Sequence, residues 1–268
     1  DGVTWTARTK LTKLLLFWDT RLWGIDNVGQ LWRSTAIGVE TNDATLPLPS
    51  SSVKSLFAAR NVAGNIVIFA GTTTGPYQHD STNTKFEVSE PALPPHTDNC
   101  RGATRWRDAM FLSAGLAIYN VLNGTNNALA VTVMGPDQDH GLPTGQQGSI
   151  VTLAGSHAEL LALVDGVTTA SEVDMFDSGG LGSHVAAVVN ADTGFSEILS
   201  WNRQGWDCKW LAAANTASAT AMIVSNAYSV YRLWWAHNAR VYWMGLPSGL
   251  VNPDQVTDCP YAASGEHK

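Results

Sequence analysis

The sequence predicts an all-β fold, and three observations lead there: hairpins that recur along the chain, an even spacing between them, and strands that are apolar at neighbouring positions. Runs rich in β-branched and aromatic residues alternate with Gly, Asn, Asp and Ser in LLLFWDTRLWGIDNVGQLWRS, NIVIFAGTTTGPYQHD, AMFLSAGLAIYN, ELLALVDG, FSEILSWNRQGWDCKWL and YRLWWAHNARVYWMGL. Each reads as strand, tight turn, strand. The turns DNVG, TTTG and NRQG place Gly where a positive φ is expected, and Asp or Asn where a side chain can bond its own backbone. The aromatic that begins the second strand falls at Trp32, Tyr77, Tyr119, Trp206 and Tyr242, with ELLALVDG filling the interval between Tyr119 and Trp206. This spacing matches the roughly 40–50 residues of one propeller blade, and six such units fit the chain.

The third observation separates a propeller from a sandwich. Trp234 and Trp235 are neighbours on one strand and point to opposite faces, so both can be buried only where both faces are packed. A blade covered by neighbours on both sides meets that condition, whereas a sandwich strand with one solvated face should alternate. The expected architecture is a single β-propeller of about six four-stranded blades over residues 1–256, with a polar tail or linker at 257–268. An α+β alternative stays open at HAELLALV, which could start a short helix, and at the Ala-rich AAANTASATAM.

Composition narrows the function classes. Of the 268 residues only 15% are charged, against roughly 25% in an average soluble chain, so most side chains must face protein. A formal charge of -7 lacks the basic footprint of a nucleic-acid-binding surface. No apolar run approaches the roughly 18 residues of a membrane span, so membrane insertion is not expected. The start has neither an initiator Met nor a basic region followed by an apolar stretch, so a signal peptide is absent or removed. Cys100, Cys208 and Cys259 are too few and scattered for a disulfide framework and leave at least one free thiol.

Gly2-Val3-Thr4-Trp5, preceded by Asp1, fits the second half of the pattern S-x-D-x-G-x-T-W. It resembles the Asp-box of BNR-like β-propellers, which implies a turn between the third and fourth strands of a blade with the Trp packed between sheets. On that resemblance Thr4 to Thr9 would be the fourth strand of the last blade, completing strands around Ala221 to Val224, Tyr231 to Ala236 and Arg240 to Gly245 and closing the ring. An opening inside a motif also leads us to expect a longer parent chain. The runs TRWRDAMFLSAGLAIY, VMGPDQDHGLP and YRLWWAHNARVYWM resemble structural proteins of environmental tailed phages. That resemblance implies a virion or extracellular, host-surface setting with other protein subunits as partners.

Candidate sites are sparse. Asp-box sialidases need three arginines for a substrate carboxylate. Arg21, Arg60, Arg105, Arg203 and Arg232 fall in different units, yet no Phe/Tyr-Arg-Ile-Pro motif is present. No G-x-S-x-G, H-E-x-x-H or P-loop occurs, and the seven histidines are isolated. For a hydrolase acid, Glu159, Glu172, Asp174 and Glu197 are the first residues to consider. Asp137 and Asp139, two apart in a Gly-containing loop, could share a calcium ion; no other cofactor is implied. Arg105 and Arg107 flank Trp106 and could hold an anionic sugar or an acidic partner, or be solvated arginines over a buried Trp. Among eleven tryptophans, Trp201 and Trp206 lie at a turn and are the better candidates for stacking on a sugar.

Three readings follow. The first is a non-enzymatic structural, adaptor or surface-recognition propeller in a virion-like assembly. The second is a lectin-like propeller binding glycans, and the third a glycoside hydrolase of sialidase type.

Overall fold

Asp26-Asn27-Val28-Gly29 shows how local chemistry sets the hairpins. The Asp26 carboxylate accepts hydrogen bonds from the backbone N–H of Val28 at 3.0 Å and of Gln30 at 2.9 Å, while Gly29 takes φ 83°. The side chain thereby satisfies turn amides that the ladder cannot reach. At the TTTG turn the Thr72 hydroxyl donates to the Gly75 carbonyl at 2.7 Å, and Gly75 carries φ 127°. At NRQG the Asn202 side-chain oxygen Oδ1 accepts from the backbone N–H groups of Gln204 and Gly205, but Arg203 rather than Gly205 takes the left-handed conformation, with φ 82°.

These turns connect the strands of a computed structural model described over residues 12–36, 39–45, 52–123, 129–136, 148–166, 196–212, 219–227, 230–237, 240–246 and 265–267. The strands form five groups of four. The first is β1 (Thr12–Trp18), β2 (Arg21–Asp26), β3 (Gln30–Ala36) and β4 (Val39–Thr45). The second is β5 (Val53–Arg60), β6 (Ile66–Thr72), β7 (Gly75–Asp80) and β8 (Lys85–Val88), joined to the first by one parallel pair, Thr45 with Lys85. The third is β9 (Ala103–Trp106), β10 (Ala109–Ala114), β11 (Ala117–Asn123) and β12 (Leu129–Val133). The fourth is β13 (Gly148–Gly155), β14 (Leu160–Gly166), β15 (Ser196–Trp201) and β16 (Trp206–Leu211). The fifth is β17 (Ala221–Ala227), β18 (Val230–His237), β19 (Arg240–Leu246) and β20 (Gly265–His267). Within each group neighbours in sequence are neighbours in the sheet. The described residues include no α-helix, and HAELLALV contributes to β14.

Two expectations are corrected. The described strands make five blades of four strands, not six. ELLALVDG is the second strand of the fourth sheet, paired with β13 on one side and β15 on the other. Residues 167–195 separate β14 from β15, so one sheet spreads over enough sequence to look like two. The last blade is not completed by an N-terminal strand: β19 pairs with β20, through Val241 with His267 and Trp243 with Gly265. The Asp-box-like Gly2 to Trp5 lies outside the described residues.

The chain divides into two compact units, residues 1–114 with 120–132 and residues 115–119 with 133–268. In the first, Trp23, Ile25, Leu31 and Ala44 of the first sheet pack with Val53, Leu56, Ile68, Ala70, Tyr77 and Phe86 of the second. In the other, Leu161, Leu163 and Ile198 pack with Leu233, Trp235 and Met244. Burial at both strand parities holds in β10 and β14, where Ala109 to Leu112 and Leu160 to Val164 are all buried. It fails on β1, where Leu15 and Phe17 are exposed, and on the fifth sheet, where Trp235 is buried but Trp234 is only half-buried, beside exposed Ile223.

Gly75 combines its left-handed φ with a close approach: a Cβ there would lie 2.9 Å from the Pro91 carbonyl oxygen. Gly64 shares the conformation, with φ 83°, but a Cβ would meet nothing within 4 Å. Gly75→Ala should therefore destabilise the protein by about 2–4 kcal/mol, and Gly64→Ala by about 1 kcal/mol. Chemical denaturation of the two variants checks the order, and equal losses would contradict it.

Candidate functional site

The site begins with register. Across β1 and β2, Leu16 stands opposite Trp23 and Trp18 opposite Arg21; across β2 and β3, Trp23 stands opposite Arg33. Cross-strand neighbours share a face, so this edge of the first sheet presents Trp18, Trp23 and Arg33 together. The indole N–H of Trp23 donates to the Trp18 carbonyl at 3.2 Å, and the two rings sit 6.1 Å apart at 49°. The Arg33 guanidinium lies 5.6 Å from the centre of the Trp23 ring.

β4 adds a carboxylate through an irregularity. Leu31 pairs with Ala44 and Trp32 with Asn42, which leaves Asp43 as an extra residue between the two pairs. A bulge of this kind re-aims a side chain, and here the Asp43 carboxylate comes within 3.7 Å of Arg33 Nε and 3.9 Å of His79 Nε2. His79 comes from β7 of the second sheet, opposite Phe86 and 6.1 Å from Trp23 between ring centres.

These residues line a cavity of about 260 Å³, together with Asp19 and Arg21 at the β1–β2 turn, the start of β6 and Ser81. That is below the roughly 300–1,000 Å³ of drug-sized pockets and suits a single ring. Both gaps at Asp43 exceed hydrogen-bond length. Arg33 Nε, Asp43 Oδ2 and His79 Nε2 are all buried without a hydrogen-bond partner, and the side chains of Asp43 and His79 are 9% and 6% exposed. Each such atom costs about 1–3 kcal/mol. Burial is also the main influence holding the His79 imidazole below its ordinary pKa, with Arg33 helping and Asp43 and Asp80 opposing. The cavity is thus lined by the half-buried Trp18 and the buried Trp23 beside an unsatisfied donor and acceptor. Among the described residues no group of three or more His, Cys, Asp or Glu could hold a metal ion.

The residues singled out from the sequence fall elsewhere. Arg105 is exposed at the end of β9 with its Nε donating to the Arg107 carbonyl at 3.2 Å. Arg107 does not continue the strand. It turns with φ 57°, and its guanidinium lies 4.9 Å from the ring centre of buried Trp106. Both arginines are exposed, and Arg107 lies over the ring of Trp106 rather than beside Arg105 on the opposite strand face. Trp201 and Trp206 are a cross-strand pair with ring centres 5.7 Å apart, and the Trp206 indole N–H donates to the Met134 carbonyl at 3.0 Å. Trp206 is buried, which leaves Trp201 as the half-exposed ring. Asp137, Asp139, Glu172 and Asp174 lie outside the described residues. Of the arginines considered for a sialidase triad, Arg21 lines the cavity, while Arg60 lies 3.5 Å from Asp108 and Arg232 lies over Trp243.

Glu159 pairs with Lys209 at 3.0 Å. Glu197 is fully buried on β15, and neither carboxylate oxygen has a hydrogen-bond partner. Burial pushes its pKa up to about 8, and the Cys208 thiol on β16 offsets part of this. Burial likewise pushes the Cys100 thiol up to about 12.

Solved structures share this architecture. A streptogramin B lyase superimposes with a TM-score of 0.53 at 12% identity, covering 95% of this chain and 67% of that one. YjhT does so with a TM-score of 0.51 at 8% identity, covering 95% and 79%. The fold is a β-propeller. The SapL1 lectin, solved with alpha methyl fucoside, reaches 0.47 at 10% identity over 84% and 72% of the two chains, too low to support a comparison. At these identities the first two speak for fold alone. No protein-family model and no curated protein matches the chain.

The Glu197 geometry sets a pH dependence. Its carboxyl holds a proton in the folded state up to about pH 8, against an ordinary value of 4.5, so the folded state binds more protons between those limits. Its contribution to stability is full below the lower value and is lost as pH rises through the upper one. Denaturation midpoints should therefore fall across that window for the native protein. In Glu197→Gln, which stays neutral, the dependence should flatten; an unchanged slope would contradict it.

Proposed function

We propose that the chain is a non-enzymatic recognition propeller that binds carbohydrate in the cavity between its first two sheets. One observation carries this reading: two tryptophans stand beside buried polar atoms that no protein group satisfies. Sugars combine apolar ring faces with hydroxyls that donate and accept, so one such ligand can use both features. A virion or extracellular setting, with other subunits as partners, is the context that the phage resemblance favours. The proposal requires no cofactor.

A second reading, an adaptor, is favoured by the fifth sheet. Ala221, Ile223, Trp234, Ala236 and Val241 line an apolar groove of about 400 Å³, and Ile223 is 64% exposed. Contiguous exposed apolar surface marks interaction sites more often than chance contacts.

Titration calorimetry with a panel of methyl glycosides tests the first reading. At least one should bind without turnover, and Trp18→Ala should weaken it about tenfold, the scale of one lost aromatic contact. Trp18 is only half-buried, so this variant is less exposed to folding loss than one at Trp23. Cleavage of the glycoside, abolished with Asp43→Asn, would replace binding by hydrolysis as the function.

A further inference from the structure

The charges around the cavity specify more than a sugar. Arg33, whose side chain is 36% exposed, faces the buried Asp43, and at the β1–β2 turn Asp19 and Arg21 contribute one charge of each sign. His79 is the remaining titratable group there. We infer that the cavity selects neutral hydroxylated rings and rejects their carboxylated counterparts; this rests on the carbohydrate reading above.

The argument is one of pairing. Arg33 Nε is a donor without an acceptor and Asp43 Oδ2 an acceptor without a donor, 3.7 Å apart. A hydroxyl both accepts and donates, and their separation lets a single one serve both after small side-chain rotations. A ligand carboxylate can only accept. Drawn to Arg33, it would sit against the Asp43 carboxylate, and like charges at that range repel strongly inside a protein. An ammonium drawn to Asp43 would meet Arg33 in the same way. With His79 uncharged the lining charges cancel, and Asp80, which acts on His79, adds a negative one, so nothing compensates a ligand carboxylate for leaving water.

The test compares ligands that differ at one carbon. Methyl glucoside and methyl galactoside are titrated against methyl glucuronide and methyl galacturonide at pH 7, on the full chain. The neutral member of the bound pair should bind at least tenfold more tightly. In Asp43→Asn, which removes the negative charge and keeps the size, that preference should shrink to threefold or less. Melting temperature confirms that the variant folds. If it does not, Arg33→Gln supplies the reciprocal arm, in which rejection of the uronide should sharpen. Binding of a uronide as tightly as its neutral partner, or more tightly, overturns the inference and leaves the carbohydrate reading standing. Failure of all four probes and of every glycoside in the wider panel, with the fold intact, overturns both.

Discussion

A slip of β2 by one residue against β3 would turn Trp23 and Ile25 away from the second sheet, because side chains alternate faces along a strand. Ile68, Ala70, Tyr77 and Phe86 would then lose the surface they pack on. The register is held at one end by the Asp26 turn and along its length by the pairs Trp23 with Arg33, Gly24 with Trp32 and Ile25 with Leu31. Gly24 belongs to this arrangement. A Cβ there would run into the Trp32 indole, which lies directly over the glycine. Core and pocket therefore depend on the same pairing: Ile25 and Leu31 fill the inter-sheet space, and Trp23 and Arg33 mark where that space opens.

The unsatisfied atoms at the pocket and at Glu197 look alike and differ in kind. Arg33, Asp43 and His79 come from three strands of two sheets and line a cavity. Glu197 lies between Val164 and Leu211 on neighbouring strands, and burial keeps it protonated at neutral pH. A neutral carboxyl is cheaper to bury than an ion. The fold meets a buried acid in one place by neutralising it and in the other by setting a cation and a neutral imidazole around it. Only the second arrangement leaves a directional demand that a ligand can meet.

The hairpins were legible because their signals are local. Asp26, Thr72 and Asn202 act within four residues of themselves, and apolar runs on either side mark the strands. The blade count was less legible because it needs the distance between paired strands. β14 and β15 pair although residues 167–195 intervene, and no local signal records that. Of the pocket's residues the sequence singled out Arg21 alone, and for a different reason. The pocket draws on β1, β2, β3, β4, β6 and β7, and its carboxylate reaches the site through a bulge that alternation does not anticipate. Trp18, like Trp201 and Trp206, borders a turn, the one between β1 and β2. Trp201 and Trp206 flank a longer turn, residues 202–205, and their rings pack on each other.

That contrast explains why tryptophan content alone says little about binding. A Trp becomes available to a ligand only when something else has already satisfied its N–H and one of its faces. Trp206 directs its N–H to Met134 and is buried, so little of it is left to offer. Trp235 stacks on Tyr242 with ring centres 5.6 Å apart inside the core. Trp23 also gives its N–H away, to Trp18, and is as deeply buried as Trp206; what sets it apart is that it lines a cavity together with the half-buried Trp18 and with Arg33. The hydrogen bond between the two tryptophans fixes their mutual angle at no cost to the surface they present. On the proposed carbohydrate reading a ligand would meet a surface already ordered, with the entropy of arranging the site met during folding rather than at binding.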